Sequence, residues 1–247
     1  MKLTYPHILL VSAMLSISAC SGSGELVDKI QKTADTVLGS AEEGGLSSSE
    51  IAAGLKEALT KGTGDVVAQL GQSGGFSANE LIRIPLPSSL QKAKDFADRF
   101  GLGGSFADLE NSLNEAAELA TPKAKTLFVS AIKDMTVSDA RSILQGPDDA
   151  ATRYFETAMS GRLADEMRPV VAASLDEVGA VRNFNSLLSK YKRIPGAPEI
   201  DADLTGHVVD GGIGGIFHYV AEEEKAIREN PAARTTELLK RVFGSQQ

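Results

Sequence analysis

Apolar residues along most of the chain recur every three or four positions, the spacing that puts one face of an α-helix against a core. Ser47-Ser48-Ser49-Glu50 has capping-box spacing and opens a stretch carrying Ile51, Leu55, Leu59, Val66, Val67 and Leu70. Gly62 and Gly64 weaken its middle, and Gly71 to Phe76 ends it. The same period predicts helices over about 88–100, 105–120, 122–135, 137–145, 149–178, 180–192, 204–229 and 231–243. Thr121-Pro122 and Asn230-Pro231 each place a capping residue before a proline at the first helical position. Gly146-Pro147-Asp148 reads as a helix stop followed by a fresh N-cap on Asp148, and Pro169 should bend or split the long 149–178 pattern. Leu81 to Leu86 is the only tempting strand, and its two prolines make it an extended passage. No repeat of 20–50 residues is visible. The pattern predicts an all-α protein, a compact bundle of about eight to ten helices without significant sheet, with Arg193 to Asp203 as its longest irregular linker.

The first twenty residues have a different pattern. Lys2 gives a positive start, and Ile8 to Ile17 gives an apolar stretch too short to span a bilayer. Ile17-Ser18-Ala19-Cys20 then resembles the bacterial lipobox, and Cys20 is the only cysteine in the chain. It has no disulfide partner and no second thiol for a metal. The reading is a lipoprotein signal over 1–19, acylation of Cys20 by chains such as palmitate, and a tether over 20–45. More than one acyl chain gives stable anchoring, and Ser21 after the cysteine resembles the outer-membrane sorting pattern. Residues 25–39 space Leu26, Ile30, Val37 and Leu38 along one stripe, as a docking helix or as part of the stalk. The expected location is the bacterial envelope, in the outer membrane facing the periplasm.

Composition narrows the partners. The 247 residues carry 25 basic and 33 acidic side chains, a formal net charge of −8. A chain with this balance and no long Lys/Arg run is a poor ligand for nucleic acid, and it would be repelled by anionic lipid head groups. At 42% hydrophobic content the chain can bury a core, while 5% aromatics and no Trp lean away from sandwiches and barrels.

Particular strings resemble a known family. Ile143-Leu144-Gln145-Gly146-Pro147-Asp148-Asp149-Ala150-Ala151-Thr152-Arg153-Tyr154-Phe155 is similar to a motif of the bacterial DUF4197 family. So are Ile82-Arg83-Ile84-Pro85-Leu86-Pro87 and the closing Ala221-Glu222-Glu223-Glu224-Lys225-Ala226-Ile227-Arg228-Glu229-Asn230-Pro231, on to Phe243-Gly244. The resemblance runs from about Leu46 to Gly244. It implies an exported, mostly helical single domain of unknown function, with no catalytic residues to carry over. Gly211-Gly212-Ile213-Gly214-Gly215 departs from the ordinary helix expected there and puts that helix's rigidity in question.

Candidate chemistry is sparse. A triad would need His207 or His218, the two histidines outside the signal, but no Gly-x-Ser-x-Gly elbow is present. On one unbroken helix they would stand about 16 Å apart, too far to share one ion. His218 with Glu222, or His207 with Asp210, offers only two ligands, so these are weak metal candidates. The glycine cluster fits no phosphate-loop spacing and reads as a place where another helix packs closely, or as a hinge. Glu222 with Lys225 and Glu224 with Arg228 pair along a helix, reading as a solvated charged face. Asp148, Asp149, Thr152, Arg153 and Tyr154 form the richest cluster: Asp148 as cap, Asp149 at the positive helix end, Arg153 bridging Asp149. The same Arg153 and Tyr154 could hold a polar ligand group or a partner's helix end. The resulting expectation is a non-enzymatic binding or scaffold module without cofactor, for an envelope protein or an apolar ligand such as a lipid. The alternative is an envelope hydrolase using carboxylates such as Asp149 or Glu222.

Overall fold

The computed structural model describes residues 47–230 together with Lys240. Cys20, the 25–39 stripe and most of the 231–243 pattern lie outside the described residues.

Within residues 47–230 eight α-helices follow in order: α1 Ser48–Leu70, α2 Ser88–Ala97, α3 Gly103–Ala120, α4 Ala124–Asp134, α5 Val137–Leu144, α6 Ala150–Glu177, α7 Ala180–Tyr191 and α8 Leu204–Glu229. Two single-turn 3-10 helices, Asp98–Phe100 and Thr121–Lys123, extend α2 and link α3 to α4. No strand occurs among the described residues, so the all-α expectation holds.

The local chemistry explains most boundaries. Ser47 and Glu50 form the expected capping box of α1, each side chain bonding the other's backbone amide. Thr136 and Asp139 do the same for α5. Two expected caps do not form. Thr121 stays helical, because its hydroxyl donates back to the Ala117 carbonyl at 2.7 Å and continues α3 into the next turn. Asp148 is exposed, and the N-cap of α6 is Asp149, whose side chain makes no capping bond. Pro169 does not split α6. Its ring is exposed between buried Met167 and Val171, on the solvent side where a carbonyl left without a donor can be hydrated.

α6 and α8 form the antiparallel centre of the bundle. The start of α6 meets the end of α8 through Ala151 and Glu224, and Arg168 of α6 meets Asp203 before α8 at 3.4 Å. α3 packs on both, α1 packs on α4, α5 and α8, and α7 packs on α3 and α6. Phe128 sits in the core between Phe155 and Phe217, with ring centroids 5.8 Å from each.

The extended passage Ile82–Pro87 is built in as though it were a strand. Asn114 of α3 is fully buried; its side-chain carbonyl accepts from the Ile84 amide and its amino group donates to the Ile84 carbonyl, both at 2.8 Å. One turn on, the buried Glu118 accepts from the amides of Phe76 at 3.0 Å and Ser77 at 2.8 Å. One turn back, Glu110 pairs with Arg83 at 2.9 Å. The three polar side chains repeat every four residues on α3; Asn114 and Glu118 satisfy backbone that no sheet partner reaches, and Glu110 holds the Arg83 side chain.

Opposite them stands the glycine cluster of α8, which runs unbroken through it. A Cβ on Gly211 would lie 2.9 Å from Ile84 Cγ1, and one on Gly215 would lie 2.6 Å from Phe76 Cε1. The cluster is a packing seam, as close approach predicts, but its partner is the extended passage and the Phe76 turn rather than another helix. Gly212 and Gly214 have open space around them.

Candidate functional site

A groove runs along the outer face of the first half of α6, bounded by α5 and α4. Two adjoining hollows compose it. The larger, about 400 Å³, is lined by Asp139, Ser142 and Ile143 of α5 and by Ala150, Arg153, Tyr154, Thr157 and Ala158 of α6. The smaller, about 130 Å³, is lined by Leu127, Ala131 and Asp134 of α4 and by Tyr154, Ala158, Met159, Arg162 and Leu163 of α6. Tyr154 and Ala158 belong to both, so one continuous, largely apolar surface passes over them. The helical period produces this arrangement: 150, 154, 158 and 162 follow one another turn by turn along α6.

Two of the charged groups at its edge, Arg153 and Asp139, are already engaged. Arg153 pairs with Asp149 at 2.8 Å, the bridge the spacing predicts. Half-buried Tyr154 lines the same hollow as Asp139, whose charge acts on its phenol. The Asp139 carboxylate accepts from both the amide and the hydroxyl of Thr136 at 2.8 Å. These Thr136 bonds, with Tyr154 as a smaller contributor, hold the Asp139 carboxyl below its usual range. Burial, and then the Asp139 charge, push the Tyr154 phenol above its usual value. At neutral pH the pair therefore rests as carboxylate and phenol.

Of the cluster expected from sequence, Arg153 and Tyr154 come together in the groove wall, Asp149 secures Arg153 from outside, and Asp148 points away into solvent. Thr152 faces inward, into a second cluster that sequence spacing misread. Glu224 and Arg228 pair at 2.8 Å, but their side chains are only 6% and 11% exposed, so this is no solvated face. The Glu224 carboxylate accepts from the amides of Ala151 at 2.9 Å and Thr152 at 3.0 Å and from the Thr152 hydroxyl at 3.0 Å. It caps α6 from another helix, in the place intended for Asp148. Arg228 donates to the last carbonyls of α5, at 2.8 Å to Ile143 and 3.4 Å to Leu144. One ion pair therefore closes the end of α5 and the start of α6, each helix end receiving the charge its dipole favours. Glu222 and Lys225, by contrast, are exposed as expected.

The histidines do not meet. His207 Nε2 lies 2.6 Å from the Pro85 carbonyl oxygen, so that nitrogen carries a proton and fixes the extended passage. His218 is exposed, its ring edge-on to Tyr219 at 5.3 Å. Among the described residues no three His, Cys, Asp or Glu side chains converge as a metal site, and no helix is long and apolar enough to cross a membrane. Asp149 and Glu222 are absent from the groove wall. Sequence reasoning also missed Asn114 and Glu118. Their one signal was polar residues spaced by four beside the apolar face of Leu109, Leu113, Ala116 and Ala120.

The three resembling strings thus have identifiable work in the fold. The 143–155 string and the end of α8 meet in the Glu224–Arg228 clip, and 82–87 fills the slot between α3 and α8. No curated protein and no solved structure matches the chain. The family model described as "Protein of unknown function (DUF4197)" matches residues 45–244, and on that match the chain belongs to the DUF4197 family.

Proposed function

We propose that the protein is an envelope lipoprotein, anchored through acyl chains on Cys20 in the outer membrane and facing the periplasm. In this reading the helical domain is a non-enzymatic binding or scaffold module, and the α4–α5–α6 groove is where its envelope partner or apolar ligand sits. The supporting observation is the continuous apolar surface over Tyr154 and Ala158, rimmed by arginine and aspartate. Concave, mostly apolar surfaces with a few polar groups are the usual form of ligand sites. The resting charges favour binding over proton transfer. Asp139 is a weaker base and Tyr154 a weaker acid than their free counterparts, the opposite of the poise near neutrality that general acid–base catalysis uses.

Two experiments test the two halves. Cys20→Ala should move the protein from the membrane fraction to the soluble periplasm and remove the acyl mass; unchanged membrane attachment would sink the anchor. For the groove, Ala158→Trp fills both hollows from an exposed position. Native mass spectrometry of the protein taken gently from an envelope extract should show a bound mass, or photocrosslinks from the groove should capture a protein, and Ala158→Trp should abolish either. If both are absent, or indifferent to the substitution, the groove is not the site.

A further inference from the structure

One face of this acidic chain is basic and aromatic. After α2 the backbone turns through Asp98–Phe100 and leaves Phe100 54% exposed. Phe96 stands behind it with ring centroids 5.5 Å apart, and Phe96 in turn meets Tyr191 of α7 edge-on at 6.3 Å. A second tie, from the Ser89 hydroxyl to the Asp201 carbonyl at 2.7 Å, holds the start of α2 to the linker that follows α7. The aromatic chain therefore brings Lys92 and Arg99 into one neighbourhood with Lys190, Lys192 and Arg193. All five are exposed, and no ion pair engages them among the described residues. The acids nearby in the chain are Asp95, Asp98, Glu199 and Asp201, of which Asp98 already pairs with Lys94 at 3.3 Å. Positive charge is in excess here on a chain whose net charge is −8.

We infer that this face docks on an anionic lipid surface, with Phe100 entering the boundary between head groups and acyl chains and the basic side chains lying over the phosphates. An isolated exposed phenylalanine needs no explanation; one next to Arg99, joined through Phe96 to the helix end that carries Lys190, Lys192 and Arg193, has the composition of an interfacial contact. The repulsion expected from the overall charge does not prevent docking. It is screened beyond about 8 Å at physiological ionic strength, whereas the basic face acts at contact. Each Lys or Arg near an anionic bilayer strengthens binding about fivefold. The face would orient a tethered domain on the membrane, and it requires neither acylation of Cys20 nor occupancy of the groove.

The chain has no Trp, so Phe100→Trp in the full chain gives an emission that reports this position alone. With vesicles of phosphatidylglycerol and phosphatidylcholine, the emission should shift to the blue, be quenched by brominated acyl chains, and recover as salt is raised. Phosphatidylcholine alone should give no shift. Lys192→Glu with Arg193→Glu, both exposed and checked for helicity by circular dichroism, should weaken the response at least about twenty-five-fold. The inference is overturned by an emission indifferent to the anionic vesicles, by an equal shift in phosphatidylcholine, or by an unchanged response in the double variant.

Discussion

At the scale of the residue, position in the fold separates carboxylates that look alike in the sequence. Glu222 and Glu224 are two residues apart in one acidic run, yet one is solvated and the other accepts bonds from two amides, a hydroxyl and a guanidinium. Glu224→Ala removes a buried charge from beside Arg228 and leaves two helix-end amides without their acceptor in a low-dielectric corner, so urea unfolding should show a loss of about 3–5 kcal/mol. Glu222→Ala should stay within about 0.5 kcal/mol of the parent. Equal losses would mean the corner is not closed by this pair. Two other carboxylates set the acid limit. The Thr136 bonds lower Asp139, and the Gly206 amide, with Arg168 adding less, lowers Asp203. A carboxyl lowered on folding adds stability at pH values above its unfolded pKa, and that contribution is lost as pH falls through the folded value. Both caps should therefore weaken below about pH 4. Asp139→Asn and Asp203→Asn should each flatten the fall in thermal midpoint over that range; a parallel fall in both variants would assign acid lability elsewhere.

At the scale of the element, the α8 glycines divide by register. Gly211 and Gly215, one turn apart, face Ile84 and Phe76, while Gly212 and Gly214 face open space. Gly215→Ala must displace a fully buried ring and Gly211→Ala a buried isoleucine, each costing about 1–3 kcal/mol. Gly212→Ala and Gly214→Ala only remove backbone freedom from a helix interior and should stabilise by about 0.5–1 kcal/mol. Chemical denaturation of the four variants reads the seam directly; destabilisation by all four would mean a hinge. The helices themselves were legible, because amphipathic spacing and local caps act within one or two turns, as at Ser47–Glu50. Two of the misreadings share one cause. Asp148 lost its capping role to a side chain more than seventy residues away, and the glycines meet a segment more than a hundred residues earlier. Spacing within a helix shows that a face is unusual without showing what lies against it. Arg153 was recoverable because its partner Asp149 is the cap of the same helix, one turn away; Asp139, on another helix, was not.

At the scale of the whole molecule, α8 is the element the others depend on. It packs against α1, α3 and α6, it carries the Glu224–Arg228 clip at one end, and at the other His207 holds Pro85. The passage from Phe76 to Pro87 illustrates the dependence, since it has no regular structure of its own and Phe76, Ile82, Ile84 and Leu86 are buried only because α3 supplies hydrogen bonds and α8 supplies space. Ordinary loops exchange amide hydrogens through local opening. The Ile84 amide cannot do so without parting from Asn114 on one side and from Gly211 on the other, and moving either helix opens the core around Phe128, Phe155 and Phe217. Native-state hydrogen exchange should therefore place Ile84 and Phe76 with the slowest amides of α3 and α8, at the free energy of global unfolding, while the exposed turn at Leu81 exchanges early. Asn114→Ala removes the bracket but leaves the seam, so Ile84 should fall to a lower opening free energy ahead of the helices. If the parent already exchanges Ile84 well below the global value, the passage is a loop laid on the bundle, and the groove and basic face belong to a domain less unified than its contacts indicate.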